Sequence, residues 1–275
     1  MTSMKDNQVL AAAMIPAVLR AGRAEMEIYQ SDFTVATKED NSPVTKADKV
    51  AEQIILDALA EIAPNIPVVS EEAASEGRTP AIGERFFLVD PLDGTKEFIK
   101  KSNEFTVNIA LVENGRPVMG IVYAPALGEL YLAFGENRAF MTHIESDAKS
   151  ATLDEPGLIR LKTRRPDENG LVIVASKSHM TAETEQYIRR FNVRDLRSAG
   201  SSLKFCLLAK AEADLYPRFG PTMEWDTAAG HAILEAAGGR VTRTDGAPLL
   251  YGKVDENFLN PYFIAHARTE TALEK

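Results

Sequence analysis

The stretch Phe86-Phe87-Leu88-Val89-Asp90-Pro91-Leu92-Asp93-Gly94-Thr95 decides how the rest of the chain is read. Four consecutive apolar residues predict a buried strand. The proline and glycine that follow predict its end, so Asp90 and Asp93 are expected at its mouth. Two carboxylates three residues apart in a turn can face one point, which costs free energy unless a cation or a proton offsets their charge. Such oxygen donors suit magnesium, whose small octahedral shell combines carboxylates with waters and substrate phosphates. The carbonyl of Leu92 is a third oxygen donor, because a turn leaves some carbonyls outside any ladder. Asp-x-x-Asp-Gly also reads as an ordinary surface turn. The apolar strand in front, and a second acidic pair after another apolar segment, favour the metal site.

That pair is Glu71-Glu72, which follows the short strand predicted at Pro67-Val68-Val69-Ser70. If the two strands are neighbours, Glu71 joins Asp90 and Asp93 as a ligand or water orienter; otherwise the pair is a solvated face. Upstream, a helix is predicted over Ala47 to Ala63, with Val50, Ile54, Ala58 and Ile62 on one face and Pro64 stopping it. Asp48 lies in its first turn. It either stabilises the free N–H groups there or points into the site and holds a nucleophilic water with Thr95. The polar stretch Ser31 to Thr45 reads as an exposed loop. Before it, Asp6 to Tyr29 reads as a mature amphipathic helix bent at Pro16, not a signal sequence. A cytoplasmic protein is the expectation, and peripheral contact of that helix with the inner face of the cell membrane is the secondary reading.

Downstream, Phe105 to Val112, Val118 to Tyr123 and Glu129 to Phe134 predict an antiparallel meander, with Asn114-Gly115 as a hairpin turn. Residues 142 to 169 lose periodicity and read as a connection between domains, dividing the chain into 1–155 and 156–275. Strand and helix patterns then alternate, which implies an α/β second half ending in a fraying tail. In that half Asp226 opens an alanine-rich helix. It is either a cap or a carboxylate completing the metal site. Ser176-Lys177-Ser178-His179 is an anion-binding segment or a helix start with an N-cap serine, and Gly200-Ser201-Ser202-Leu203-Lys204 repeats the pattern at the next helix. Arg218 is a third cationic candidate, or surface decoration. The remaining histidines, His143, His231 and His266, are too scattered to form a zinc set.

The net charge of -9 offers no electrostatic footprint for a nucleic-acid polymer, and the single cysteine rules out an intramolecular disulfide or a thiolate cluster.

Together, Asp90-Pro91-Leu92-Asp93-Gly94-Thr95, Glu71-Glu72 and Trp225-Asp226-Thr227-Ala228-Ala229-Gly230 resemble the signatures of the inositol monophosphatase superfamily of lithium-sensitive, magnesium-dependent phosphatases. Val89 to Lys100, Phe105 to Leu111, Gly200 to Cys206 and Leu215 to Thr222 resemble its bacterial CysQ-type 3'(2'),5'-bisphosphate nucleotidases. The resemblance implies a mixed α+β and α/β, layered, sugar-phosphatase-like α-β-α-β-α sandwich. It implies two or three Mg2+ ions on Glu71, Asp90, the Leu92 carbonyl, Asp93 and Asp226. Asp48, Glu71 and Thr95 would activate the water. Substrate contacts would come from Gly94, Thr95, Ser176, Ser178, His179, Ser201, Ser202, Lys204, Arg218 and Asp226. The implied substrate is the small nucleotide adenosine 3',5'-bisphosphate, with 3'-phosphoadenylyl sulfate as a second; inositol or sugar phosphates are the alternative. A monomer is expected, with a dimer left open.

Overall fold

Helices α1 (Met4–Tyr29) and α2 (Lys46–Ile62) pack on each other and cover one face of a seven-stranded sheet. The computed structural model describes residues 4–37, 43–145, 148, 157–167, 169–176 and 180–268. A hairpin of β1 (Val35–Thr37) and β2 (Pro43–Thr45) joins the two helices, and residues 38–42 of the predicted loop lie outside the described residues. Among the described residues, no helix is long and apolar enough to cross a membrane.

The large sheet begins with β3 (Val68–Ser70), which leads into the short helix α3 (Glu71–Ser75). It pairs in parallel with β4 (Arg85–Asp93), as Val68 opposes Phe87. A one-turn helix, α4 (Thr95–Ile99), follows β4 and was not expected from a segment of mixed charge. The meander β5 (Thr106–Glu113), β6 (Arg116–Ala124) and β7 (Glu129–Ala133) is antiparallel as predicted. Asn114 and Gly115, at φ 50° and 73°, make its first turn.

Residues 142 to 169 are not all connection. Thr142 and His143 end β8 (Ala139–His143), and β9 (Ile159–Arg160) forms the sheet edge. Both residues of β9 are exposed, so the edge carries no apolar alternation to read. The 155/156 division falls outside the described residues.

Odd residues of β4, Phe87 and Val89, face α1 and α2. Even residues, Phe86 and Leu88, face the second half of the chain. The strand does not stop at Asp90 as expected. Asp90 opposes Asn108 while Asp93 opposes Thr106, so three steps on β4 match two on β5. This bulge accommodates Pro91, whose missing N–H is tolerated where the ladder is interrupted.

The second sheet has the order β11-β10-β12-β14-β13, from β10 (Leu171–Ser176), β11 (Val193–Ala199), β12 (Leu215–Arg218), β13 (Arg240–Arg243) and β14 (Phe263–His266). Helix α5 (Ala182–Ile188) covers its outer face. Helices α6 (Leu203–Ala209) and α7 (Glu224–Ala236) fill the space between the two sheets. The result is the five-layer α-β-α-β-α sandwich. Small residues let α7 lie close: a Cβ on Gly120 of β6 would sit 2.4 Å from the Ala229 carbonyl oxygen. Arg164 ties the connection to the second sheet through Asp214, with Nε and Nη2 at 2.8 and 2.9 Å from its two oxygens.

Candidate active site

The parallel pairing of β3 with β4 brings Glu71 beside Asp90 and Asp93 at one end of the sheet. A regular strand would send residues 90 and 93 to opposite faces, and the bulge returns Asp93 to the side of Asp90. From the other half, α7 delivers Asp226. These four carboxylates, with Leu92, Gly94 and Thr95, line one cleft of about 250 Å³.

Framework bonds hold the acids. Asp90 Oδ1 accepts Leu92 N–H at 3.0 Å, and Asp93 Oδ2 accepts Asn108 Nδ2 at 3.2 Å. Asp226 caps α7, with Oδ2 accepting Met223 N–H at 2.8 Å, and it also faces the cleft. The cap and site readings of Asp226 are therefore compatible. The same is true of Asp48: Oδ2 accepts the Thr45 N–H and hydroxyl at 2.7 and 2.8 Å, while Oδ1 accepts the Thr95 hydroxyl at 3.1 Å.

The crowding is electrostatically costly. Burial, then Glu71, Asp93 and Asp226, push the Asp90 carboxyl well above the usual range. Burial with Asp93 and Glu71 does the same to Asp226. Burial raises Asp93 to about 6, although Lys204 and Asn108 oppose the shift. Burial likewise lowers Lys204 to about 8, opposed by Asp93. Burial also raises Asp48, against the Thr45 bonds.

Hydroxyl and cationic side chains, Ser176, Ser201, Lys204 and Arg218, line the same cleft. Arg218 is buried, not surface decoration, and its guanidinium donates to the carbonyls of Gly220 and Pro221 at 3.2 and 2.7 Å. Ser201 adopts a left-handed backbone, φ 44°, and its buried hydroxyl has no hydrogen-bond partner among the described residues. Ser202 does not line the cleft, and its hydroxyl accepts from Asn108 at 3.0 Å and donates to the Asp226 carbonyl at 2.7 Å. Ser178 and His179, with Lys177, lie outside the described residues. Helix α5 is capped by Thr181, which removes the N-cap reading of the 176–179 segment.

Asn108, Tyr216, Thr222 and Thr227 were not singled out by the sequence. Tyr216, Thr222 and Thr227 line the cleft, and Asn108 braces both Asp93 and Ser202. The signal for Asn108 is a lone amide inside the apolar run Phe105 to Leu111, on the inward face.

Among the described residues, no group of three His, Cys, Asp or Glu side chains closes tightly enough to enclose a single ion. The donor set nevertheless fits magnesium, which keeps several waters and is held directly by only one or two carboxylates. Buried acids that drive each other's proton affinity upward are a site that a divalent cation would relieve.

The model of the inositol monophosphatase family matches residues 6–272. The chain belongs to that family. A 3'(2'),5'-bisphosphate nucleotidase CysQ of Shigella flexneri is 46% identical over 245 residues, spanning 88% of this chain and 94% of the relative. The crystal structure of CysQ from Bacteroides thetaiotaomicron, described as a bacterial member of the inositol monophosphatase family, is 41% identical. It superposes with a TM-score of 0.76 over 96% of this chain and 98% of that one. A family member named as an inositol monophosphatase, from Zymomonas mobilis, reaches a TM-score of 0.74 over 98% and 95% of the two chains at 25% identity. The inositol monophosphatase fold is thus shared across the family, while sequence identity is higher to the two CysQ relatives.

Proposed function

We propose that this phosphomonoesterase hydrolyses the 3'-phosphate of adenosine 3',5'-bisphosphate to AMP and phosphate, and also accepts 3'-phosphoadenylyl sulfate. The observation that carries the reading is the 46% identity to a bisphosphate nucleotidase over 88% of the chain. A cleft lined by four carboxylates and by Lys204 and Arg218 suits a substrate with two phosphates, one to be cleaved and one to be held.

Glu71, Asp90, the Leu92 carbonyl, Asp93 and Asp226 would hold magnesium. Bound there, it would supply Lewis-acid stabilisation of the phosphoryl charge and acidify a water. Thr95 and Asp48 would orient the attacking water. The Asp48 carboxylate orients the Thr95 hydroxyl and draws its proton, so the hydroxyl oxygen can accept from the water and aim it. Gly94, at φ 94°, opens α4, and a Cβ there would approach the Glu104 carbonyl to 3.2 Å. Gly94, Thr95 and Lys96 of that turn line the cleft. Lys204, Arg218, Ser176 and Ser201 would take the uncleaved phosphate and the nucleoside. Placement and charge stabilisation account for catalysis without a phosphoenzyme. Cytoplasmic location, a monomeric state and inhibition by lithium belong to the same reading.

The test is kcat/KM on adenosine 3',5'-bisphosphate and on inositol monophosphate, with and without Mg2+. A large advantage for the nucleotide that requires Mg2+ is expected. Equal or better use of inositol monophosphate would overturn the substrate assignment.

A further inference from the structure

Beside the cleft, α7 and the segment preceding β14 bury a run of polar side chains. His231 is 2% exposed, and its Nδ1 lies 2.9 Å from the Tyr251 hydroxyl. Its Nε2 faces Glu235 Oε1 at 3.1 Å, one helical turn on. The Tyr251 hydroxyl donates to Thr227 Oγ1 at 3.3 Å, and Asn260 Nδ2 donates to the same oxygen at 3.0 Å. Thr227 in turn donates to the Glu224 carbonyl at 3.2 Å. Asn260 Nδ2 also reaches the Met223 carbonyl at 2.8 Å, and the Met223 N–H is the group that ties Asp226 Oδ2.

Thr227 lines the cleft, yet its hydroxyl has nothing to offer a ligand. One hydrogen and two lone pairs are its whole capacity, and all three are engaged by the protein. The hydroxyl is a strut. With one oxygen of Asp226 fixed, the rotation of that carboxylate follows the position of Met223, whose carbonyl is held by Asn260. Asn260 is linked through Thr227 to Tyr251 and His231. His231, Tyr251, Thr227 and Asn260 are all buried, so water does not substitute freely for a missing link.

We propose that His231, Tyr251 and Asn260 are positioning residues, which hold Thr227 and Met223 and thereby set the direction of the Asp226 carboxylate in the cleft. The kinetic half of the proposal rests on the nucleotidase reading, while the geometric half does not.

The experiment compares Tyr251→Phe, His231→Leu and His231→Asn with the wild type, the asparagine keeping an N–H donor near the place of Nδ1. Two quantities are read: kcat and KM on adenosine 3',5'-bisphosphate, and Mn2+ affinity of the substrate-free protein by electron paramagnetic resonance. Tyr251→Phe and His231→Leu are expected to lower both kcat and Mn2+ affinity by about tenfold or more, with KM unchanged and His231→Asn recovering most of the loss. Unchanged Mn2+ affinity and kcat in folded Tyr251→Phe overturn the proposal, as does equal loss in the asparagine and leucine variants. Should His231→Leu fail to fold, Tyr251→Phe decides alone. Should the wild type leave the nucleotide intact, the substrate assignment falls and Mn2+ affinity still decides the positioning role.

Discussion

Thr95 and Asp48, 47 residues apart, share a hydrogen bond of 3.1 Å, and the same carboxylate caps α2 with its other oxygen. One side chain therefore serves the fold and the chemistry, and the two roles can be separated. Thr95→Val removes the hydroxyl without touching the cap, so turnover should fall by about 10²- to 10⁴-fold while the urea midpoint stays put. Asp48→Asn should lose turnover similarly and also weaken the helix start by about 1 kcal/mol. Full turnover in Thr95→Val would remove this pair from the mechanism.

Metal-free protein should be less stable at neutral pH than in mild acid. Asp90, Asp93 and Asp226 hold protons in the folded state above the pH near 3.8 at which the unfolded chain releases them. Their contribution to stability is complete below that value and is lost as pH rises, through about 6 in the case of Asp93. Thermal melts in chelator at about pH 5 and about pH 7.5 check this. Magnesium should raise the melting temperature more at the higher pH, and a pH-independent shift would contradict the assignment of these acids to a metal.

Glu25, on α1, is fully buried, and neither of its carboxyl oxygens has a hydrogen-bond partner among the described residues. Burial, reinforced by Asp48, raises its pKa well above 4.5. Glu25→Met should stabilise the protein by about 1–3 kcal/mol near neutral pH. The gap should widen as pH rises above 4.5, since the wild type alone must keep or surrender that proton. Urea midpoints at two pH values measure it, and a destabilised methionine variant would mean that the carboxyl has an unseen partner.

Gly120→Ala would place a methyl 2.4 Å from the Ala229 carbonyl oxygen and 3.0 Å from Ala232 Cβ, so α7 must move off the sheet. Overpacking of this kind costs about 1–3 kcal/mol. Because Asp226 begins the same helix, turnover should drop further than in Ile109→Val, a packing change on the opposite face of the sheet. Equal turnover in the two variants would show that α7 can shift without disturbing the carboxylate.

The layers were legible because their patterns are strong. Four apolar residues before Asp90 mark a buried strand, the meander turns at Asn114-Gly115, and strands and helices alternate after Leu171, while the stacking into five layers was what the family resemblance implied. Glu71 was legible only conditionally, through the parallel pairing of two strands that no local signal fixes. Thr95–Asp48 illustrates the limit from the other side: residue types suggested the pair, but a bond across 47 residues depends on how α2 docks. Helix α4 and strands β8 and β9 are too short for periodicity to register. The relay from His231 to Asp226 was illegible, since His231 stood out only as a histidine without metal partners, and what matters is its burial against Tyr251.

The bulge in β4 has a consequence for how this segment can vary. Side chains at positions 91 and 92 can be exchanged at the usual cost of packing. Loss of either position would leave two steps on β4 against two on β5, so Asp93 would keep the face of Asp90, but the unpaired stretch that carries the Leu92 carbonyl would close into the ladder. The segment thus tolerates a change of letters far better than a change of their number. A variant library over residues 90 to 95 should sample substitutions and leave its length alone.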